Sequence, residues 1–260
     1  MRPGWIAAVA AAALLSVAAP ALGVPAQPPL PSPLPTFSPG PPWVPQPRPG
    51  KGMRRWLEHH EQYVARAHQG KIDVLFIGDS TVERFVTIGK AVWDERYAPL
   101  NAANFGISGD RTQFVLWRLQ HGELQGIEPK LVVLEIGTNN VETARPASIV
   151  YAIGQIVAYV QQTLPDTKVL VIGLLPRGVS ATNSFRPKIT EVNRALASLA
   201  MRKNVSFIDV GASLLDTDGT LSPAVMPDGL HPSAYGYQLW ADAMEPVVDS
   251  LLGLTPTPSP

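Results

Sequence analysis

Residues Asp73 to Thr81 read DVLFIGDST, a short apolar run that ends in Gly-Asp-Ser. Val74, Leu75, Phe76 and Ile77 form an unbroken hydrophobic segment of strand length, which suits a parallel strand covered on both faces. Gly78 permits a tight turn, and Thr81 to Phe85 reads as the opening of a helix. Ser80 therefore stands where a strand gives way to a helix, the edge at which open α/β sheets keep their ligands. A serine in that position can act as a nucleophile only if a base and a set of oxyanion donors lie elsewhere in the chain.

Outward from this stretch the pattern alternates. Strands are expected at Leu100 to Phe105, Leu131 to Ile136, Lys168 to Ile172 and Val205 to Ile208, separated by helices at Gln113 to Leu119, Ala147 to Leu164, Pro187 to Met201 and Ser233 to Leu252. An amphipathic helix over Met53 to Ala67 precedes them. Apolar strands alternating with helices predict a five-stranded parallel sheet covered on both faces. Three strand ends carry glycine beside polar residues: Gly78-Asp-Ser80, Asn104-Phe-Gly106 and Gly137-Thr-Asn-Asn140. Carboxyl ends of parallel strands share one edge of the sheet, so these loops can converge. Taken singly, each also reads as a turn followed by a helix cap.

A fourth piece is Pro227-Asp-Gly-Leu-His-Pro232, just before the last helix. A short reversal there can lay the Asp228 carboxylate on the His231 imidazole, fixing its tautomer and leaving the far nitrogen to accept the Ser80 proton. The bland alternative has Asp228 capping a turn and His231 capping the helix.

The four blocks together resemble the SGNH, or GDSL-like, hydrolases, with Ser80, Gly106, Asn139 and His231 on the residues that name the family. The resemblance implies a Ser80, His231, Asp228 triad and an oxyanion hole of the Ser80 and Gly106 N–H groups and the Asn139 amide. From about Arg55 onward the chain is more specifically similar to the catalytic subunits of intracellular platelet-activating-factor acetylhydrolase, through Asn104-Phe-Gly-Ile, Val115-Leu-Trp-Arg-Leu119, Gly137-Thr-Asn-Asn140 and Leu174-Leu-Pro-Arg-Gly178. That similarity implies a flavodoxin-like three-layer α/β sandwich and hydrolysis of short acetyl esters without metal or cofactor. Thr81 replaces the leucine of Gly-Asp-Ser-Leu, and the turn lacks the second glycine of an α/β-hydrolase elbow.

Composition narrows the alternatives. Lys plus Arg and Asp plus Glu are equal at 21 each, with no charged block, so nothing points to nucleic acid. The absence of cysteine excludes disulfides, thiolate metal sites and a cysteine nucleophile. Residues 1–26, with Arg2 before an apolar run and small residues at Ala21-Leu-Gly23, read as a signal peptide, leaving no stable membrane span once removed and placing the enzyme outside the cytoplasm or in the cell envelope. Residues 27–50 are proline-rich and read as a linker, 51–253 as the hydrolase domain and 254–260 as a disordered tail.

The expected function is a serine esterase acting on an acetylated sugar or lipid, with a homodimer left open. A carbohydrate O-acetyl deacetylase is one alternative. A non-catalytic module holding an anion at the Gly-Asp-Ser turn is another. His59 and His60, being adjacent, lack the spacing of helical metal ligands and are expected on a solvated face. Glu135, alone in an apolar strand, is expected in a salt bridge.

Overall fold

The computed structural model describes residues 40–254. The expected signal peptide, residues 27–39 of the proline-rich stretch, and residues 255–260 of the tail lie outside the described residues.

Five parallel strands form one sheet in the order β2-β1-β3-β4-β5, the flavodoxin-like arrangement. They are β1 (Val74–Gly78), β2 (Ala102–Gly106), β3 (Leu131–Glu135), β4 (Lys168–Ile172) and β5 (Val205–Ile208). β1 lies between β2 and β3, so the direction of winding reverses beside it and a crevice opens at its carboxyl end. The register sets Gly78 level with both Gly106 and Glu135. Two of the polar strand ends singled out in the sequence thus meet beside the third.

Side chains alternate across the sheet, and each face has its own core. Leu75, Ile77, Val132 and Leu134 pack with α1 (Met53–His68), α4 (Thr112–Arg118), α5 (Pro146–Thr163) and α6 (Phe185–Leu196). Phe76, Val133 and Leu170 pack on the other face with Phe85, Trp93 and Tyr97, from the short elements α2 (Ser80–Glu83), α3 (Lys90–Val92) and the turns that follow them, and with Tyr237, Trp240 and Met244 of α7 (Ala234–Leu252). Every residue of β1 is buried, as its unbroken apolar run requires.

Three expectations need correction. The second strand begins at Ala102 because Asn101 takes a left-handed backbone, φ 53°, that ends a short turn of helix over Ala98–Leu100. His60 is buried, drawn inward by Glu123, whose Oε1 lies 2.9 Å from its Nδ1. Residues 40–50, expected as linker, lie along the domain instead. Thr112 Oγ1 donates to the Pro42 carbonyl at 2.8 Å, Gln46 N–H donates to Gln113 O at 3.3 Å, and Trp43 meets Tyr151 edge-on at 5.7 Å.

Candidate active site

Ser80 is the first residue of α2, directly after β1, and the Asp79 carboxylate caps that helix by accepting the Thr81 N–H at 3.0 Å. Ser80 Oγ lies 2.9 Å from His231 Nε2, and His231 Nδ1 lies 2.6 Å from Asp228 Oδ2. The other Asp228 oxygen accepts the N–H groups of Leu230 at 3.0 Å and His231 at 2.7 Å. One carboxylate therefore fixes both the loop and the ring. Partial burial opposes the Asp228 charge, but the hydrogen bonds from the His231 ring, the His231 N–H and the Leu230 N–H outweigh it and hold the acid at about 2. An ionised Asp228 accepts Nδ1–H, which leaves Nε2 as the acceptor facing the serine hydroxyl.

Asn139 lies at the same edge. Its Nδ2 donates to the Asp110 carbonyl at 2.8 Å and to Asp79 Oδ2 at 3.2 Å. Gly106, by contrast, does not offer its N–H to the site, because that group donates to Asn104 Oδ1 at 2.9 Å. The sequence requires glycine there for another reason. A Cβ on Gly106 would stand 2.3 Å from Glu83 N and 2.9 Å from Asp79 O, so its absence lets β2 press against α2. Three residues on, Gly109 adopts φ 78°, and its N–H has no acceptor among the described residues. It immediately precedes Asp110, whose carbonyl holds Asn139.

Beneath the serine lie two acids that sequence alone does not pair. Thr81 Oγ1 bridges Asp79 Oδ1, at 3.1 Å, and Glu135 Oε2. Glu135 is fully buried and makes no salt bridge among the described residues; its Oε1 has no hydrogen-bond partner. The expected ion pair is replaced by a hydroxyl bridge to a second carboxyl. Burial pushes Asp79 up to about 7, and burial together with the nearby Asp79 charge raises Glu135 well above the usual carboxylate range. Thr81 has a single hydroxyl proton to share between them. A neutral Glu135 is the state this environment favours.

A buried cation supports the loop behind Asn139. Arg118 Nε lies 2.9 Å from Asp110 Oδ2, its Nη1 pairs with Glu123, and its Nη2 donates to Phe105 O at 3.0 Å. Trp56 Nε1 donates to Asp110 Oδ1 at 2.6 Å. Sequence reasoning assigned Arg118 no role, although an arginine inside the apolar run Phe114-Val-Leu-Trp-Arg-Leu119 is the kind of residue that burial must compensate.

The GDSL-like lipase/acylhydrolase family model matches residues 76–239. The chain is 38% identical over 207 residues to the platelet-activating factor acetylhydrolase IB subunit alpha2 of Homo sapiens, covering 79% of this chain and 89% of the relative. It is 39% identical over 217 residues to subunit alpha1 of Bos taurus, covering 81% and 92% respectively. Among solved structures it shares its fold with a GDSL-like lipase from Bacteroides thetaiotaomicron, with TM-score 0.61 and 19% identity over 74% of this chain and 97% of that one. It also shares the fold of a catalytic mutant of an acetylxylan esterase from Geobacillus stearothermophilus, with TM-score 0.57 and 19% identity over 72% and 96%. With its fold, its conjunction of serine, imidazole and carboxylate, and this identity over most of its length, the chain belongs to the GDSL-like lipase/acylhydrolase family and is an ester-hydrolysing enzyme.

Proposed function

We propose that the enzyme hydrolyses short-chain, chiefly acetyl, esters through a covalent acyl-enzyme. The observation that carries this reading is the chain of contacts from Ser80 Oγ through the His231 ring to Asp228, at 2.9 and 2.6 Å. His231 Nε2 takes the Ser80 proton as Oγ attacks the ester carbonyl, and the imidazolium so formed faces an ionised Asp228. The proton then passes to the departing alcohol. Water, deprotonated by the same nitrogen, attacks the acyl-serine and releases the acid.

The developing oxyanion needs donors already aimed at it. Ser80 N–H, at the start of a helix, has no acceptor among the described residues. Asn139 can redirect the hydrogen now shared with Asp79 across 3.2 Å while the shorter bond to Asp110 O holds the amide in place. The elevated Asp79 favours that release, since a carboxyl protonated near neutrality accepts more weakly than a carboxylate. Gly109 supplies the third donor in place of Gly106, whose N–H is engaged by Asn104.

The acetyl preference is supported by the relatives, which are named as acetylhydrolase subunits. A second reading, deacetylation of carbohydrate, is favoured by the fold shared with the acetylxylan esterase. A 4-nitrophenyl ester series from acetate to decanoate tests the first, with kcat/KM expected to fall as the chain lengthens. Acetate release from acetylated xylan compared with an acetylated phospholipid separates the second from it. Activity that rises toward the decanoate would reject the short-acyl proposal.

A further inference from the structure

Two buried polar side chains, Thr81 and Glu135, carry no step of the hydrolysis described above, and the fold brings them together under the helix that Ser80 begins. Glu135 ends β3 level with Gly78, where a Cβ would stand 2.3 Å from the Glu135 carbonyl oxygen and from a Val82 methyl. The missing side chain lets α2 settle over the end of β3. Thr81 is fixed there by its main chain, whose carbonyl accepts the Tyr237 hydroxyl of α7 at 2.7 Å. The Gly-Asp-Ser-Leu motif has leucine at this position, and leucine could bridge no acids.

Counting hydrogens assigns a proton to the acid pair. Thr81 Oγ1 contacts Asp79 Oδ1 at 3.1 Å and also Glu135 Oε2, but it carries one hydrogen and donates to one of them at a time. The other contact is a hydrogen bond only if a carboxyl donates, so one of the two acids is protonated. Asp79 already accepts the Thr81 N–H at 3.0 Å and the Asn139 amide at 3.2 Å, whereas Glu135 Oε1 has no partner. Neither acid forms an ion pair among the described residues. In the resting enzyme the charge therefore rests on Asp79 and the proton on Glu135, giving one line of donors from Glu135 O–H to Thr81 and from Thr81 O–H to Asp79. The stronger upward push of burial on Glu135 acts in the same sense.

That line ends at the Asn139 amide. As the ester carbonyl oxygen gains charge, Asn139 turns its hydrogen from Asp79 toward it, and Asp79 loses a donor while a second negative charge grows nearby. Both changes raise the proton affinity of Asp79. We propose that Glu135 is a positioning residue that answers them: its proton passes to Thr81 Oγ1 while the Thr81 hydroxyl proton passes to Asp79 Oδ1, which frees Asn139 for the oxyanion. The Glu135 O–H bond and the original Thr81 O–H bond break, a new O–H bond forms on Thr81 and another on Asp79, and the pair keeps its single negative charge. Thr81, now donating to Glu135, holds that charge farther from the oxyanion. The inference rests on the esterase reading of Ser80 and supplies the source of the proton that loosens Asp79 from Asn139.

Glu135→Gln, Thr81→Val and Thr81→Ser, assayed on 4-nitrophenyl acetate, test it. Glutamine can donate to Thr81 but has no acidic proton to pass, and valine keeps the threonine shape without the hydroxyl. These two variants should lower kcat about tenfold at constant KM, less than the roughly hundredfold cost of losing an oxyanion donor outright. Thr81→Ser, which returns the hydroxyl, should recover most of what Thr81→Val loses. Rates in mixtures of light and heavy water give a readout that a packing role does not move. Wild type should show a curved dependence on deuterium fraction, because several protons move together. Glu135→Gln and Thr81→Val should show a straighter one, left by the transfer between Ser80 and His231. The same curvature in wild type and Glu135→Gln, or equal losses in Thr81→Ser and Thr81→Val, overturns the proposal. Ser80→Ala keeps the two readings apart: if it hydrolyses the ester as well as wild type, the esterase reading fails by itself. Infrared spectroscopy of the resting protein then decides the pair. A protonated-carboxyl band present in wild type and lost in Glu135→Gln upholds it, and the absence of that band from wild type removes it.

Discussion

Asp110 and Asn139 are joined by a 2.8 Å hydrogen bond from the asparagine amide to the aspartate main-chain carbonyl, while the Asp110 side chain is held from behind by Arg118 and Trp56. The orientation of a catalytic-edge amide thereby depends on a fully buried ion network. Arg118→Ala would leave Asp110 and Glu123 buried without their cation, a loss of about 3–5 kcal/mol. Thermal unfolding should record this as a fall in Tm of roughly 10 °C. An unchanged Tm would mean that the carboxylates find compensation elsewhere.

Asn139→Ala removes one of the oxyanion donors of the proposed mechanism and leaves Ser80, His231 and Asp228 in place. The expected outcome is a fall in kcat of about a hundredfold to a thousandfold with little change in KM, because the lost interaction forms only as charge develops on the carbonyl oxygen. Steady-state kinetics on 4-nitrophenyl acetate would show it. A rise in KM at constant kcat would assign Asn139 to ground-state binding instead.

Gly106 admits two explanations, a donated N–H or a missing Cβ, and geometry separates them. If its importance is the missing Cβ, then Gly106→Ala drives a methyl into Glu83 N, 2.3 Å away, and shifts the helix that begins with Ser80. Both Tm and kcat should drop, the latter by about tenfold or more, as small displacements of reacting groups are costly. A variant with native Tm and native kcat would show that the methyl is accommodated and that the missing Cβ is not what this position requires.

Glu135 and Asp79 predict how stability depends on pH. An acid whose folded-state pKa lies above its unfolded value is ionised first in the unfolded chain, so the folded protein holds the extra proton and stability declines as pH rises through that window. For Asp79 the window runs from 3.8 to about 7, and Glu135, raised by burial and by the Asp79 charge, acts in the same direction. Asp228 acts oppositely at the acid end, its contribution being lost as pH falls from 3.8 toward 2. Glu135→Gln should therefore flatten this decline, so that its Tm relative to wild type is more favourable at pH 9 than at pH 5. A parallel shift at both pH values would show that the buried acid does not titrate.

The sheet was legible because β1 needs no partner to be recognised: Val74 to Ile77 are apolar on both faces, and all of them are buried. Ser80 and the Asp228 and His231 pair were legible because their chemistry is local to two short loops. Contacts made across the fold were not. His60 meets Glu123 across 63 positions, and Thr81 meets Glu135 across 54, so neither burial nor charge state is written in the neighbouring residues. Gly106 misled because a side chain two positions earlier, Asn104, takes its N–H. The docking of residues 40–50 was hidden by composition, since proline richness signals an extended chain without saying whether that chain lies on a surface.

The most direct measurement is reaction of the folded enzyme with a fluorophosphonate, followed by mass spectrometry of the modified peptide and assay of residual 4-nitrophenyl acetate hydrolysis. A single adduct on Ser80, loss of activity in proportion to labelling, and neither label nor esterase turnover in Ser80→Ala are the predicted results. Full hydrolytic activity in Ser80→Ala, or inactivation by an adduct elsewhere, would contradict the role given to the 2.9 Å contact between Ser80 and His231.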